Sequence, residues 1–255
     1  MRMPDHFANL RGAATLPTNG FRLTARVVDD LITNLATGVI HGVAGTGKTY
    51  AVQSALEELH ARGDRAPATV SVAFLGQPTM RLVADELFKA LTGAPAAASH
   101  NRFVITNHLI DLLGGPKRLV VIDEAQRLNS DCIELIRHLH DHPDTRFALL
   151  YVGGDGCWEV LSREPMLRSR IFRRLPFQPL SRAQIPELIR GYHPIYADTD
   201  DELLVEIDDV YGHGTLRDWA VFTHTAADLC AESSRTHIDE RIVANAYALL
   251  GGGFN

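Results

Sequence analysis

Residues 42 to 49 read Gly42-Val43-Ala44-Gly45-Thr46-Gly47-Lys48-Thr49. The pattern is G-x-x-x-x-G-K-[ST], a loop whose backbone wraps the phosphates of a nucleotide. Its glycines let the chain turn tightly, so that successive N–H groups face inward around an anion. Lys48 is placed to reach the β- and γ-phosphates, and the Thr49 hydroxyl to ligate Mg²⁺. Gly42, Val43, Ala44, Gly45, Thr46, Gly47, Lys48 and Thr49, with Tyr50 after them, form the expected nucleotide-binding segment.

The flanks agree with that reading. Gly38-Val39-Ile40-His41 reads as a short buried strand. Beyond the loop, Ala51, Val52, Ala55, Leu56 and Leu59 recur at helical spacing across residues 50–62. The loop is then expected at a helix N-terminus, where the dipole favours phosphate.

A second motif supplies the acidic half. Leu119-Val120-Val121-Ile122 is an unbroken apolar run, followed by Asp123-Glu124. A parallel strand buried on both faces needs such a run, and ligands gather at the C-terminal ends of strands in open α/β sheets. Adjacent side chains on an extended chain point in different directions. Asp123 is therefore expected to hold the Mg²⁺ shell while Glu124 turns toward the γ-phosphate and orients, or takes a proton from, the attacking water. Alone, an acidic pair at a strand end is a surface feature; coupled to the phosphate loop it reads as catalytic, with ATP and Mg²⁺ as the ligands.

The rest of the chain alternates. Helices are expected over 23–35, 80–91, 103–113 and 131–139, with a mostly helical stretch over 162–171. Further strands are expected over 69–75, 147–152 and 172–177. Gly93-Ala94-Pro95-Ala96-Ala97-Ala98 marks an exposed loop, and Gly114-Gly115-Pro116 stops a helix. Strands alternating with helices predict an α/β fold, a parallel sheet with helices on both faces. After residue 180 strand signals stop, and helices are expected over 182–192, 201–211, 215–231 and 238–250. The expected organisation is an N-terminal arm (1–22), a P-loop ATPase domain (23–180) and a small all-helical lid (181–255), ending in a frayed tail.

Composition narrows the function. The chain has 255 residues, 45% of them hydrophobic, enough for a substantial core. No apolar run approaches the roughly 20 residues that span a bilayer. The first residues lack the basic-then-apolar pattern of a signal peptide. Cys132, Cys157 and Cys230 are far apart, with no C-x-x-C, and read as reduced thiols of a cytoplasmic protein. A net charge of −6 argues against a strongly basic nucleic-acid binder but leaves room for a local basic surface. His138-Leu139-His140-Asp141-His142 does not match a hydrolase metal-ligand spacing.

The separation of the two motifs leaves room for an additional strand, and the whole resembles the catalytic-glutamate class of P-loop ATPases. Met166-Leu167-Arg168-Ser169-Arg170-Ile171 resembles the arginine-finger segment of AAA+ proteins. That resemblance implies a guanidinium that reaches the γ-phosphate held by a neighbouring subunit, with Arg170 the first choice and Arg168 the second. Arg168, Arg170, Arg173 and Arg174 equally read as a solvated basic face. Gly214-Thr215-Leu216-Arg217 resembles the lid "sensor two" segment, which implies that Arg217 touches the phosphates in cis. The polar residue usual in AAA+ proteins after the strand over 147–152 is replaced by Gly153-Gly154-Asp155-Gly156, which leaves Asp155 as the candidate there.

Val121-Ile122-Asp123-Glu124-Ala125-Gln126-Arg127-Leu128 and Ser162-Arg163-Glu164-Pro165-Met166-Leu167 together resemble the AAA+ ATPases of transposition, of the Mu B, TniB and TnsC type. The resemblance implies a homo-oligomer assembled with ATP on duplex DNA, held through the DNA backbone, that presents a target to a DDE-type transposase. It also places the loop after the second strand against DNA, with Thr79 and Arg81 as phosphate contacts and Lys117 and Arg118 as weaker candidates. Two other readings stay open: a nucleotide-switched regulatory ATPase acting on a protein partner, and a helper ATPase of secretion, for which an expected membrane segment or wall-binding domain is not seen.

Overall fold

The computed structural model describes residues 10–63, 66–97 and 101–251. The first part of the expected N-terminal arm (1–9), the end of the Ala-rich loop (98–100) and most of the expected frayed tail (252–255) lie outside the described residues.

The chain divides into two compact units. One comprises Leu23–Gly42 and Ala51–Phe177; the other comprises Met1–Arg22, Val43–Tyr50 and Gln178–Asn255. The first holds a five-stranded sheet made of β1 (Thr37–Gly42), β2 (Ala68–Ala73), β3 (Arg118–Asp123), β4 (Phe147–Gly153) and β5 (Ile171–Phe177). The spatial order is β2-β3-β4-β1-β5, and every pairing is parallel. β4 therefore lies between β1 and β3.

Burial follows this order. All of β4 is buried, as are Leu119 to Ile122 of β3 and Thr37 to Ile40 of β1, because central strands are covered on both faces. The edge strands alternate instead: in β2, Val70 and Val72 are buried between more exposed neighbours, and in β5, Leu175 and Phe177 are. This is the period of two expected where one face is only partly covered.

Helices of the same unit cover the sheet: α3 (Met80–Thr92), α4 (Arg102–Leu113), α5 (Ser130–Asp141), α6 (Cys157–Ser162) and α7 (Pro165–Arg168), with parts of α1 (Asn19–Asn34) and α2 (Lys48–His60). Leu87, Ile105, Leu109, Ile133, Ile136 and Leu139 from these helices join Val120, Ile122, Leu149 and Tyr151 in one core. Side-chain caps start the longer helices. Thr79, Asn101 and Asn129 accept from the N–H of Leu82, Val104 and Cys132, a contribution of about 1 kcal/mol each.

The second unit is helical: α8 (Gln184–Ile189), α9 (Asp201–Ile207), α10 (Leu216–Glu232) and α11 (Glu240–Leu250). Its core gathers Ile185, Ile189, Tyr196, Leu204, Trp219 and Phe222 with Leu10 and Leu16 of the N-terminal segment. Trp219 packs edge-on against Tyr196, with ring centroids 5.8 Å apart.

Three expected elements are corrected. The stretch 162–171 is not one helix: α6 ends at Ser162, Pro165 restarts a single turn in α7, and Ile171 already pairs with Thr37 as strand. The helix expected over 201–211 is α-helical only to Ile207 and continues as a π-helical turn, Asp208–Gly212. At that turn the Oδ1 of the buried Asp208 accepts from Trp219 Nε1 and from the Gly214 N–H, both at 2.8 Å. The helix expected over 182–192 is regular only from Gln184 to Ile189, and a 3₁₀ turn, Pro194–Tyr196, follows it.

Candidate functional site

In the helical unit the phosphate loop closes on itself. The Val43 carbonyl accepts from Thr46 Oγ1 at 2.8 Å and from Lys48 Nζ at 2.7 Å. Thr46 and Lys48 are buried, whereas Thr49 is exposed. Helix α2 begins at Lys48, so the loop runs directly into a helix N-terminus.

Arg217 lies against this loop. Its main-chain N–H donates to the Gly45 carbonyl at 3.0 Å. Thr215 caps α10, accepting from the Asp218 N–H at 3.3 Å, while its hydroxyl donates to Asp218 Oδ2 at 2.5 Å. The Arg217 side chain is exposed, and among the described residues its guanidinium has no partner. The N-terminal segment reaches the loop's exit: Thr15 Oγ1 and Tyr50 Oη lie 2.5 Å apart, and the Phe21 and Tyr50 rings are 6.0 Å apart. Thr15 and Phe21 carry no motif, and the sequence reading missed them.

The sheet unit carries the acidic half. β1 ends at Gly42, β3 at Asp123 and β4 at Gly153, all at the C-terminal end of the parallel sheet. Gly42 has φ +144°, and a Cβ there would lie 2.0 Å from the Phe177 carbonyl oxygen, so only glycine passes β5 at this point.

Glu124 corrects an expectation. It is not on extended chain but has φ 54° and ψ 36°, the left-handed conformation. Asp123 Oδ1 accepts from the Glu124 N–H at 2.8 Å, which favours that turn. The alternation of an extended strand therefore does not extend to Glu124. Glu124 Oε2 accepts from Gln126 Nε2 at 2.6 Å and from Arg127 Nε at 3.3 Å. Gln126 Oε1 in turn accepts from the Gly154 N–H at 2.9 Å. Asp155 is exposed, and it is Gln126 that reaches the tip of β4. The one available signal for Gln126 and Arg127 was their place two and three residues past the strand-end glutamate.

The candidate finger arginines differ in their surroundings. Arg170 donates to Asp141 Oδ1 at 3.0 Å and to the Met166 carbonyl at 2.8 Å. Arg173 pairs with Asp30 at 2.8 Å. Arg174 stacks 4.0 Å over the Trp158 ring and donates to His41 Nε2 at 2.9 Å. Arg168 is exposed, and its guanidinium has no partner among the described residues.

The residues expected to meet DNA have local tasks. The Thr79 hydroxyl caps α3, and Arg81 pairs with Asp85 at 2.7 Å along the same helix. Arg118 is half-buried, which lowers its guanidinium pKa, and Lys117 is exposed. In the loop that leads to Thr79, Leu75 is 99% exposed.

The AAA domain family model matches residues 34–161, which include both motifs. The chain belongs to this family. Among curated proteins, no sequence matches it. The AAA+ fold is shared with solved structures. An Aeropyrum pernix ORC2 protein, in ADPNP and ADP complexes, is 19% identical with a TM-score of 0.67, covering 92% of this chain and 69% of that one. The Aeropyrum pernix ORC1 protein in complex with DNA is 17% identical with a TM-score of 0.69, covering 97% and 67%. The Thermotoga maritima RuvB Holliday junction branch migration motor is 16% identical with a TM-score of 0.58, covering 97% and 72%. Among the described residues, no helix of this AAA domain protein is long and apolar enough to cross a membrane.

Proposed function

We propose that this AAA domain protein is an ATP hydrolase that assembles into a homo-oligomer on duplex DNA and presents that DNA to a DDE-type transposase. The observation that carries the hydrolytic part is Asp123-Glu124 at the end of a buried parallel strand, in a chain that also holds an intact phosphate loop. The loop N–H groups and Lys48 bind the β- and γ-phosphates. Water attacks the γ-phosphorus; the new O–P bond forms as the bond to the β,γ-bridging oxygen breaks, ADP leaves, and the water proton passes to Glu124. Mg²⁺ is a hard cation that takes hydroxyl and carboxylate oxygens and would neutralise phosphate charge; Thr49 offers the first kind of donor and Asp123 the second.

Arg217 serves as a cis contact to the phosphates. A trans guanidinium comes from Arg168 or Arg170, and the Asp141 pairing of Arg170 favours Arg168. The DNA part is supported by the likeness to a structure whose protein was solved with DNA, and the transposition part by Asp123-Glu124-Ala125-Gln126-Arg127-Leu128. Cytoplasmic residence follows from that role.

One observation favours a second reading, a nucleotide-switched ATPase acting on a protein partner: Arg81, the cation of the candidate DNA loop, is already paired with Asp85. Sedimentation of the protein with duplex DNA, in ATP, in a non-hydrolysable analogue and in ADP, separates the two. ATP-dependent co-assembly supports the DNA role. Assembly or turnover indifferent to DNA supports the protein-partner role.

A further inference from the structure

The helical unit holds a cavity of about 340 Å³, lined among the described residues by Leu10, Arg11, His224, Ala227 and Asp228. None of these belongs to the phosphate loop. The volume falls at the lower end of the range for small-molecule sites.

One wall is the N-terminal segment, and its backbone is fixed on both sides of Arg11. Leu10 is buried in the helical core. The Arg11 carbonyl lies 2.8 Å from His193 Nε2. His193 Nδ1 accepts from the Ile195 N–H at 3.3 Å, so the ring proton sits on Nε2 and is donated to Arg11. Gly12 turns with φ +86°, and a Cβ there would lie 3.1 Å from His193 Nε2. The Ala14 N–H then donates to the Tyr192 carbonyl at 2.7 Å. Arg11 extends from this fastened turn; its side chain is exposed, and its guanidinium has no partner among the described residues.

The other wall is α10. His224 and Asp228 lie one turn apart on it, with Nδ1 3.2 Å from Oδ2. A carboxylate at that distance keeps a proton on Nδ1 and orients the ring. Nε2 is left without a partner among the described residues. The cavity thus offers a planar fork of donors, a ring nitrogen that accepts or gives one proton, and apolar surface from Leu10 and Ala227. A phosphate group complements all of it. Its oxygens take the Arg11 fork in pairs. With a second ionisation at about pH 6, its P–OH donates to neutral Nε2, or its dianion accepts from the imidazolium. A carboxylate, ionised at neutral pH, has no proton to offer Nε2, and Arg11 repels a cation.

We propose that this cavity binds the phosphate group of a small phosphomonoester, with Arg11 holding the oxygens, His224 sharing the proton, and the apolar part of the ester resting on Leu10 and Ala227. This site is separate from the one that holds ATP.

The test titrates the full chain with phenyl phosphate, inorganic phosphate and benzoate, following the His224 ring signals by NMR. His224→Gln assigns those signals by their loss. Phenyl phosphate is expected to shift them saturably, and inorganic phosphate and benzoate to bind more weakly. Arg11→Gln should weaken phenyl phosphate about 10-fold or more, the scale of a charge-assisted pair, with an unchanged melting temperature. Arg11→Lys, which keeps the charge but not the fork, should fall between. The shift should persist in Lys48→Ala, which separates this cavity from the phosphate loop. No saturable shift, a shift lost in Lys48→Ala, or equal affinity in Arg11→Gln overturns the site. Benzoate binding as tightly as phenyl phosphate overturns the phosphate assignment, and inorganic phosphate doing so overturns the ester.

Discussion

The main-chain N–H of Arg217 donates to the carbonyl of Gly45 at 3.0 Å. The first turn of α10 is thereby joined to the middle of the phosphate loop through backbone alone, which leaves the Arg217 side chain available for other work. Arg217→Ala keeps that bond. It is expected to weaken ATP affinity or turnover about 3- to 30-fold, as loss of one charge-assisted phosphate contact does, with a melting temperature close to wild type. Titration calorimetry and a thermal melt on the same preparation check both halves.

Asp208 holds the approach to that turn. Its buried carboxylate accepts from Trp219 Nε1 and the Gly214 N–H. Asp208→Ala strands two donors, at a cost of about 2–4 kcal/mol, and loosens the Gly214-Thr215-Leu216-Arg217 segment. Denaturant unfolding should show the loss, and ATP affinity should fall with it. Asp208→Asn, which keeps an acceptor oxygen, should cost less on both measures.

Arg168 and Arg170 make opposite predictions. Arg168→Ala removes an exposed side chain with no partner among the described residues. It should leave the melting temperature unchanged and reduce turnover of the assembled protein about 10³-fold or more, if it acts in trans. Arg170→Ala also breaks the contact with Asp141 and should lower stability by up to about 1 kcal/mol. Mixing Arg168→Ala with Glu124→Gln protomers decides the trans role: recovery of activity in the mixture is expected.

Alkaline stability follows from the buried tyrosines. Burial pushes the Tyr192 and Tyr247 hydroxyls from the ordinary value near 10 up to about 12, and Tyr151 and Tyr196 further still. Between these values the unfolded chain has lost protons that the folded chain keeps, so the unfolded state gains relative to the folded one as pH rises. Folding stability should be level below pH 10 with respect to these groups, and should fall between pH 10 and 12. Denaturant midpoints across that range provide the check.

Much of this architecture was legible because single residues carry strong local signals. The unbroken apolar runs at 119–122 and 147–152 are both central strands, and the alternation after Thr69 is an edge. The phosphate loop stood out because its chemistry fixes most of its positions. What escaped depends on contacts distant in sequence or on very short elements. Nothing local places β4 between β1 and β3. Six residues in α6 are too few to establish a helical period. The left-handed Glu124 has no glycine to announce it; the cue is the Asp123 carboxylate capturing its N–H. Gln126 and Arg127 were visible as letters of a motif, but their partners, Gly154 and Leu75, lie 28 and 52 residues away along the chain.

The most direct test compares ATP binding and turnover in the wild type, Lys48→Ala and Glu124→Gln with magnesium present. The account predicts that Lys48→Ala loses affinity for ATP. Glu124→Gln should bind ATP as tightly as the wild type and hydrolyse it about 10²–10⁴-fold more slowly. Normal hydrolysis by Glu124→Gln, or a wild type with no affinity for ATP, would contradict it.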